Sequence, residues 1–197
     1  MMSLPFSAAA DRNKEVIGDA LERYLADVQT VLEIGSGTAQ HAVYFAGRFN
    51  HVVWQPTDRA ENISAINGRI DASDQLNIRP PIELDVSDAA RLIDIYDFAY
   101  SANTAHIMSM AEVRCMFAVV SSRLKHNAFF ALYGPFKYQQ RHTAPGNENF
   151  DAMLQQQASH MGIRDKADLD AIAFDCGFDF ADDIIMPANN RLLLWRR

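Results

Sequence analysis

The stretch Val31-Leu32-Glu33-Ile34-Gly35-Ser36-Gly37-Thr38-Ala39-Gln40-His41 decides the fold of this chain. An apolar run ends at an acidic residue, two glycines alternate with small polar residues, and apolar residues at helical spacing follow at once. This order predicts a strand, a sharp turn and the beginning of a helix. The glycines leave bare main chain against which a ligand can lie, and a helix start offers unpaired N–H groups. We therefore expect a nucleotide-like ligand at this turn.

The details of this turn distinguish between kinds of nucleotide site. A dinucleotide-binding turn requires glycine where Gln40 stands, and a P-loop requires a Gly-Lys-Ser/Thr ending that is absent here. Gln40 therefore argues against a nicotinamide oxidoreductase. The carboxylate of Glu33 would repel a pyrophosphate but attract an ammonium or sulfonium cation. S-adenosylmethionine carries both cations, and we predict it as the cofactor.

Polar residues also end the next three predicted strands. An acidic residue one helical crossover beyond a glycine turn is the usual ribose ligand, so Asp58 is predicted to accept both ribose hydroxyls. Asp85 is predicted either to bind the adenine amino group or to begin the following helix. Asn103 follows the fourth strand, where ligands of parallel sheets bind, although its side chain could instead satisfy loop backbone groups.

These residues resemble a known class of enzymes. The pattern Glu33-x-Gly35-x-Gly37, followed by Asp58, Asp85 and Asn103, resembles the class I S-adenosylmethionine-dependent methyltransferases. More narrowly, the chain resembles a methyltransferase-like family, domain of unknown function 938. The segments that carry this narrower resemblance are Arg12-Asn13, Leu32-Glu33-Ile34 through Gln40-His41, Trp54-Gln55-Pro56, Leu84-Asp85-Val86, Asn103 to Ile107, Tyr133-Gly134-Pro135-Phe136, Asn149-Phe150-Asp151, Gly162-Ile163-Arg164-Asp165 and Met186-Pro187-Ala188-Asn189-Asn190. Two positions depart from the family pattern: Ala39 replaces a third glycine, and Gly146 replaces a common serine.

Strand-like and helix-like patterns alternate along the chain, which predicts a parallel sheet with helices on both faces. Two apolar runs around Asn189-Asn190 predict a closing hairpin. Together with the resemblance, this gives an α/β, Rossmann-like class I methyltransferase fold with a seven-stranded, mostly parallel sheet and an antiparallel C-terminal hairpin. The predicted strands are 31–34, 51–58, 81–84, 95–102, 128–133, 180–186 and 191–195, and the later helices are 113–124, 149–160 and 165–176.

Length and composition predict one domain over residues 1–197. Its N-terminal helical segment is predicted at 1–26. Residues 134–165 are predicted to form a loop and helix on the substrate side, and 134–149 are polar enough for an active-site loop. No leader peptide or membrane span is expected, which predicts a cytoplasmic protein.

The predicted cofactor site collects the turn and the polar strand ends. Its members are Glu33, Gly35, Ser36, Gly37, Asp58, Asp85, Val86 and Asn103. The resemblance places Asn103 beside the methionine part of the cofactor.

Catalysis needs few groups, because methyl transfer is an in-line displacement at a carbon that the sulfonium already activates. His106 is predicted as the base because an imidazole titrates near neutral pH, with a structural hydrogen-bonding role as the alternative. Tyr133 is predicted to orient the substrate or to pack against the neighbouring loop. Arginines in loops could clamp an anionic substrate. The residues predicted to bind substrate are Arg12, Asn13, Arg141 and Arg164.

The charge of the chain and the spacing of its histidines and cysteines limit the classes of partner and ligand that we expect. The chain has 18 basic and 25 acidic residues, a net charge of −7 and no long basic run, which disfavours nucleic acid. The six histidines are scattered and the two cysteines are far apart, so neither a metal site nor a disulfide is predicted. We expect a methyltransferase that acts on a small-molecule acceptor. The alternative is a non-catalytic regulatory protein that binds S-adenosylmethionine or S-adenosylhomocysteine, motivated by Ala39 and the lack of an obvious base.

Overall fold

A computed structural model describes residues 4–197 of the chain. The helices are α1 (Ala8–Leu25), α2 (Gln40–Arg48), α3 (Ala60–Asp71), α4 (Met110–Arg123), α5 (Pro145–Gln157) and α6 (Lys166–Asp175). The strands are β1 (Thr30–Ile34), β2 (Val53–Asp58), β3 (Ile82–Glu83), β4 (Tyr96–Ala102), β5 (Leu124–Gly134), β6 (Phe136–Lys137), β7 (Arg164–Asp165), β8 (Asp179–Met186) and β9 (Asn190–Arg196).

The main sheet has seven strands in the order β3-β2-β1-β4-β5-β9-β8. β3, β2, β1, β4 and β5 are parallel, whereas β9 runs antiparallel to both β5 and β8. The predicted seven-stranded sheet with an antiparallel C-terminal hairpin is therefore confirmed. The hairpin turns at Pro187–Asn189, where Ala188 and Asn189 have positive φ angles.

The sheet is buried on both faces. Successive residues of a strand point to opposite faces, so Val31 joins the cluster under α1 and α2 while Leu32 joins the cluster under α4 and α6. Ile17 and Phe45 fill the first cluster, and Phe117 fills the second. Burying each such side chain contributes about 1.5–3 kcal/mol to the stability of the fold. Because both faces are buried, the central strands are continuous apolar runs in the sequence.

The carboxyl ends of β1 to β5 meet at one edge of the sheet, because these strands are parallel. The start of α4 is fixed there by a capping box: the Ser109 side chain accepts from the Glu112 backbone N–H, and the Glu112 carboxylate accepts from the Ser109 backbone N–H. Glu112 is thereby held at the same edge as the glycine turn.

Residues 134–149 contain more regular structure than the predicted polar loop, because they include β6 and the first turn of α5. α5 begins at Pro145, and proline suits the first turn of a helix because its missing N–H is not needed there. β6 and β7 also pair in parallel, outside the main sheet. The buried Asp151 carboxylate accepts from the Ile163 backbone N–H at 2.6 Å and lies 2.8 Å from His142 Nε2, which ties α5 to its surroundings.

Within residues 4–197, no helix combines the length and the apolar character needed to cross a membrane.

Candidate functional site

A cavity of about 510 Å³ opens at the carboxyl ends of β1, β2 and β4. This is where the strand order reverses between β1 and β4, the position at which open parallel sheets bind ligands. Five residues predicted to bind cofactor line it: Gly35, Gly37, Asp58, Val86 and Asn103. The turn, the second strand end and the fourth strand end are thus brought together as the spacing predicted.

The glycine turn has a conformation that side chains disfavour. Gly35 has φ +73° and Gly37 has φ +56°. A Cβ on Gly35 would approach Thr104 Cγ2 to 2.6 Å, whereas a Cβ on Gly37 would meet nothing within 4 Å. Gly37 therefore leaves an open face toward the cavity. Ala39 also has a positive φ, of 56°, which gives a physical reason for the glycine that the family pattern has there.

Asp58 joins the end of β2 to the glycine turn. One carboxylate oxygen accepts from the Gly37 backbone N–H at 2.6 Å. The other accepts from the Arg59 backbone N–H and from Asn62 Nδ2, both at 2.8 Å. Since three donors fix the carboxylate, its orientation is set before any ligand arrives.

Glu33 and Ser36 lie beneath the turn, outside the cavity lining. Glu33 is 2% exposed, and one of its oxygens accepts from Ser36 Oγ at 2.9 Å and from Trp54 Nε1 at 3.0 Å. Burial raises the pKa of Glu33 to about 7, although the two hydrogen bonds oppose the shift. The side chains therefore support the turn from below, and only its backbone faces the cavity.

The third strand end contributes apolar walls. Leu84 and Val86 line the cavity, whereas Asp85 between them is exposed. Its carboxylate accepts from the Ser87 backbone N–H at 2.9 Å, which holds the pKa of Asp85 below its ordinary value. Residues 86–95 contain no helix, so the prediction that Asp85 begins one is wrong. The carboxylate closes a turn in place of a helix.

Asn103 occupies an uncommon conformation at the end of β4. Its φ is +59°, which asparagine tolerates better than most residues. Its backbone N–H donates to the Tyr133 carbonyl at 2.9 Å, so the ends of β4 and β5 are joined beside the cavity. Thr104 and Met108 continue the lining from here.

His106 and Tyr133 do not line the cavity. His106 is 8% exposed and lies against Phe150, with ring centroids 5.2 Å apart. Burial, helped by the charge of Arg164, lowers the pKa of His106 to about 4. Its imidazole is therefore neutral and weakly basic at neutral pH, contrary to the near-neutral titration expected from the sequence. Tyr133 is buried at the end of β5, and burial raises its pKa.

The structure does not gather the four predicted substrate residues, and none of them lines the cavity. Arg164 donates to the carbonyls of Ala105, Met108 and His160, so its guanidinium joins two loops and does not point at a ligand site. The remaining three lie elsewhere. Arg12 and Arg141 are exposed on α1 and on a turn, and the buried Asn13 Oδ1 lies 2.7 Å from His41 Nε2.

Several lining residues were missed by the sequence reasoning. Arg59 and Glu112 both line the cavity and form an ion pair at 2.5 Å. Glu112 could have been found from the capping box. His160 and Met161 line the cavity from the loop before β7, and no sequence signal pointed to them.

A family model described as protein of unknown function (DUF938) matches residues 4–197. The chain belongs to the DUF938 family. An O-methyltransferase family protein from Burkholderia thailandensis is 16% identical with a TM-score of 0.83, and the match covers 96% of the DUF938 chain and 57% of that protein. Human N-acetylserotonin methyltransferase in complex with SAM is 14% identical with a TM-score of 0.80, covering 96% and 52%. Mitomycin 7-O-methyltransferase is 12% identical with a TM-score of 0.82, covering 96% and 55%.

The DUF938 chain thus spans just over half the length of these proteins. At such identities the likeness shows the fold, which is a Rossmann-like class I methyltransferase fold.

Replacing Glu33 with Gln should make stability less dependent on pH. The folded pKa of about 7 lies above the ordinary 4.5, so the folded protein keeps a proton that the unfolded chain has lost. This stabilisation is complete below pH 4.5 and disappears as the pH rises to about 7, a loss of about 3 kcal/mol. Gln is neutral and keeps an oxygen for Ser36 and Trp54. Urea unfolding should show that, between pH 4.5 and about 7, the free energy of unfolding falls less in the variant than in the wild type. The same dependence on pH in both proteins would contradict the raised pKa of Glu33.

Gly35→Ala should destabilise the protein more than Gly37→Ala. Both positive φ angles carry a conformational cost of about 1–2 kcal/mol for alanine, but only Gly35 adds a clash with the Thr104 methyl. Thr104→Ser removes that methyl and keeps the hydroxyl, which lies 2.7 Å from Ser101 Oγ. Denaturant unfolding should show that Thr104→Ser recovers part of the Gly35→Ala loss. Equal losses in the two glycine variants would rule out the clash.

Proposed function

We propose that this DUF938 protein is an S-adenosylmethionine-dependent methyltransferase that acts on a small molecule. The observation that carries the proposal is the cavity at the strand-order reversal, into which bare Gly37 backbone and a fixed Asp58 carboxylate both face. Backbone without side chains allows a flat nucleoside to approach closely. A carboxylate one strand away is the group that such sites use for ribose hydroxyls.

The lining residues fit the chemistry of this cofactor. Asp58, Glu61 and Glu112 bring three carboxylates to the cavity, against the single guanidinium of Arg59, which is itself paired with Glu112. Such a lining favours a cationic ligand over a pyrophosphate. The apolar walls at the end of β3 suit adenine, with the exposed Asp85 at their edge as the proposed partner of the adenine amino group.

The chain's own contribution to catalysis is positioning. When bound, S-adenosylmethionine supplies a methyl group that forms a bond to the acceptor as its bond to sulfur breaks, leaving S-adenosylhomocysteine while the acceptor loses any proton it carried. Gly35 and Asn103 would hold the methionine part, and the loops joined by Arg164 would limit access of water. Holding the acceptor in line accounts for most of the acceleration in a reaction of this type.

The acceptor is proposed to be a small molecule and not a nucleic acid. A polynucleotide would have to approach a chain of net charge −7 through an opening lined by carboxylates. With 18 basic residues against 25 acidic ones, the chain gains little from the release of counterions from phosphates.

Calorimetry with S-adenosylmethionine and S-adenosylhomocysteine tests the proposal. Asp58→Ala should weaken binding by about 1.5–3 kcal/mol, the usual value of hydrogen bonds to a charged group. Asp27→Ala is the matched control, because Asp27 is exposed before β1, at the opposite edge of the sheet. The control should bind like the wild type.

Two results would change the conclusion. Absence of binding to either ligand by the folded wild type would refute the proposal, and an unchanged affinity in Asp58→Ala would remove Asp58 from the site. Binding without acceptor-dependent formation of S-adenosylhomocysteine, across a broad panel of acceptors, would favour the regulatory alternative.

A further inference from the structure

Two polar side chains converge above Gly134, the last residue of β5. A Cβ placed on this glycine would lie 3.9 Å from His106 Nδ1, 4.0 Å from Asn103 Oδ1 and 3.8 Å from Phe136 Cζ. All three distances are ordinary van der Waals contacts. The missing side chain of Gly134 therefore leaves a recess whose walls are an imidazole, an amide and an aromatic ring.

Both polar walls have hydrogen-bonding capacity that the protein does not use. His106 is 8% exposed and Asn103 is half-buried, and among the described residues neither has a side-chain atom that is both fully buried and without a partner. Their polar atoms are therefore open to solvent. A ligand that enters the recess would take the place of water at these two groups.

The recess adjoins the cavity assigned above to the cofactor. Asn103 lines that cavity, and its backbone N–H holds the carbonyl of Tyr133, the neighbour of Gly134. A group in the recess would therefore lie beside the cofactor cavity, on the β5 side of Asn103. We propose that the recess above Gly134 binds the hydroxyl group of the methyl acceptor. This inference rests on the proposed methyltransferase function.

A hydroxyl matches these walls better than other groups. A neutral imidazole offers one N–H donor and one acceptor, and Asn103 faces the recess through Oδ1, which only accepts, so a hydroxyl can donate to Asn103 while it accepts from His106. A carboxylate can only accept, and an alkyl group can do neither. Phe136 and Phe150 lie next to the polar walls and suit an acceptor with an apolar or aromatic body.

Gly134→Ala is the decisive variant, because its methyl group fills the recess without a steric clash. The glycine does not have a positive φ, so alanine adds no backbone strain. Gly146→Ala is the matched control: a Cβ there meets nothing within 4 Å, and Gly146 lies in the first turn of α5. Both variants should fold and should bind S-adenosylhomocysteine like the wild type.

Phenol serves as the probe of a hydroxyl on an aromatic body, with toluene and benzoate as comparisons. NMR titration of protein saturated with S-adenosylhomocysteine should show phenol shifting the imidazole nitrogens of His106. Phenol should bind at least about tenfold more weakly to Gly134→Ala and equally well to Gly146→Ala. Toluene should leave the imidazole signals unchanged, and benzoate should bind more weakly than phenol.

His106→Phe provides a second test, because it keeps a ring against Phe150 and removes the nitrogen. Its affinity for phenol should fall by about threefold to tenfold, the range for loss of one hydrogen bond. Equal phenol affinity in wild type and Gly134→Ala, tighter binding of benzoate, or no response of His106 would overturn the inference. Failure of S-adenosylhomocysteine to bind would instead contradict the proposed function. Phenol titration of the protein without S-adenosylhomocysteine would still test the recess.

Discussion

The hydrogen bond from the Gly37 backbone N–H to the Asp58 carboxylate is the contact on which the site depends. It joins the turn after β1 to the end of β2, and the Gly35 and Ser36 backbone N–H groups reinforce it by donating to the Thr57 carbonyl at 3.0 Å. Because these bonds use backbone donors, the turn keeps its shape without placing side chains in the cavity. The same bonds hold the acidic group and the open backbone at a fixed separation before any ligand binds.

Support for this turn comes from buried polar groups whose burial has an energetic cost. Glu33 is held by Ser36 and Trp54 in surroundings that raise its pKa to about 7, so ionisation at neutral pH works against folding. Ala39 retains a left-handed conformation that alanine disfavours. Glu33 and Ala39 flank the two glycines that line the cavity. Strain and costly burial that gather at one place in a sheet are typical of a site shaped for binding.

The two sides of the cavity are built differently. On the β1 to β3 side, strand ends and helix starts fix the lining, so geometry follows from the sheet itself. On the β4 and β5 side, loops supply it, and Arg164 joins the Ala105 and Met108 carbonyls to that of His160. The segment that contains α5 and β7 therefore shapes the side proposed for the acceptor. Loops tolerate changes of sequence better than the strands and helices that they connect.

The sequence alone determined the strands of the main sheet with its closing hairpin and the meeting of Gly37, Asp58 and Asn103, because periodicity, glycine turns and parallel strand ends are local signals. It did not record the pairing of β6 with β7 or the absence of a helix after Asp85. Tertiary packing decided where individual side chains point. Strand alternation turned Glu33 beneath the turn, packing around Phe150 buried His106, and the carbonyls of two distant loops occupied Arg164. His160 reached the cavity only through those loop contacts. Such outcomes depend on neighbours that are remote in the chain, and no local pattern records them.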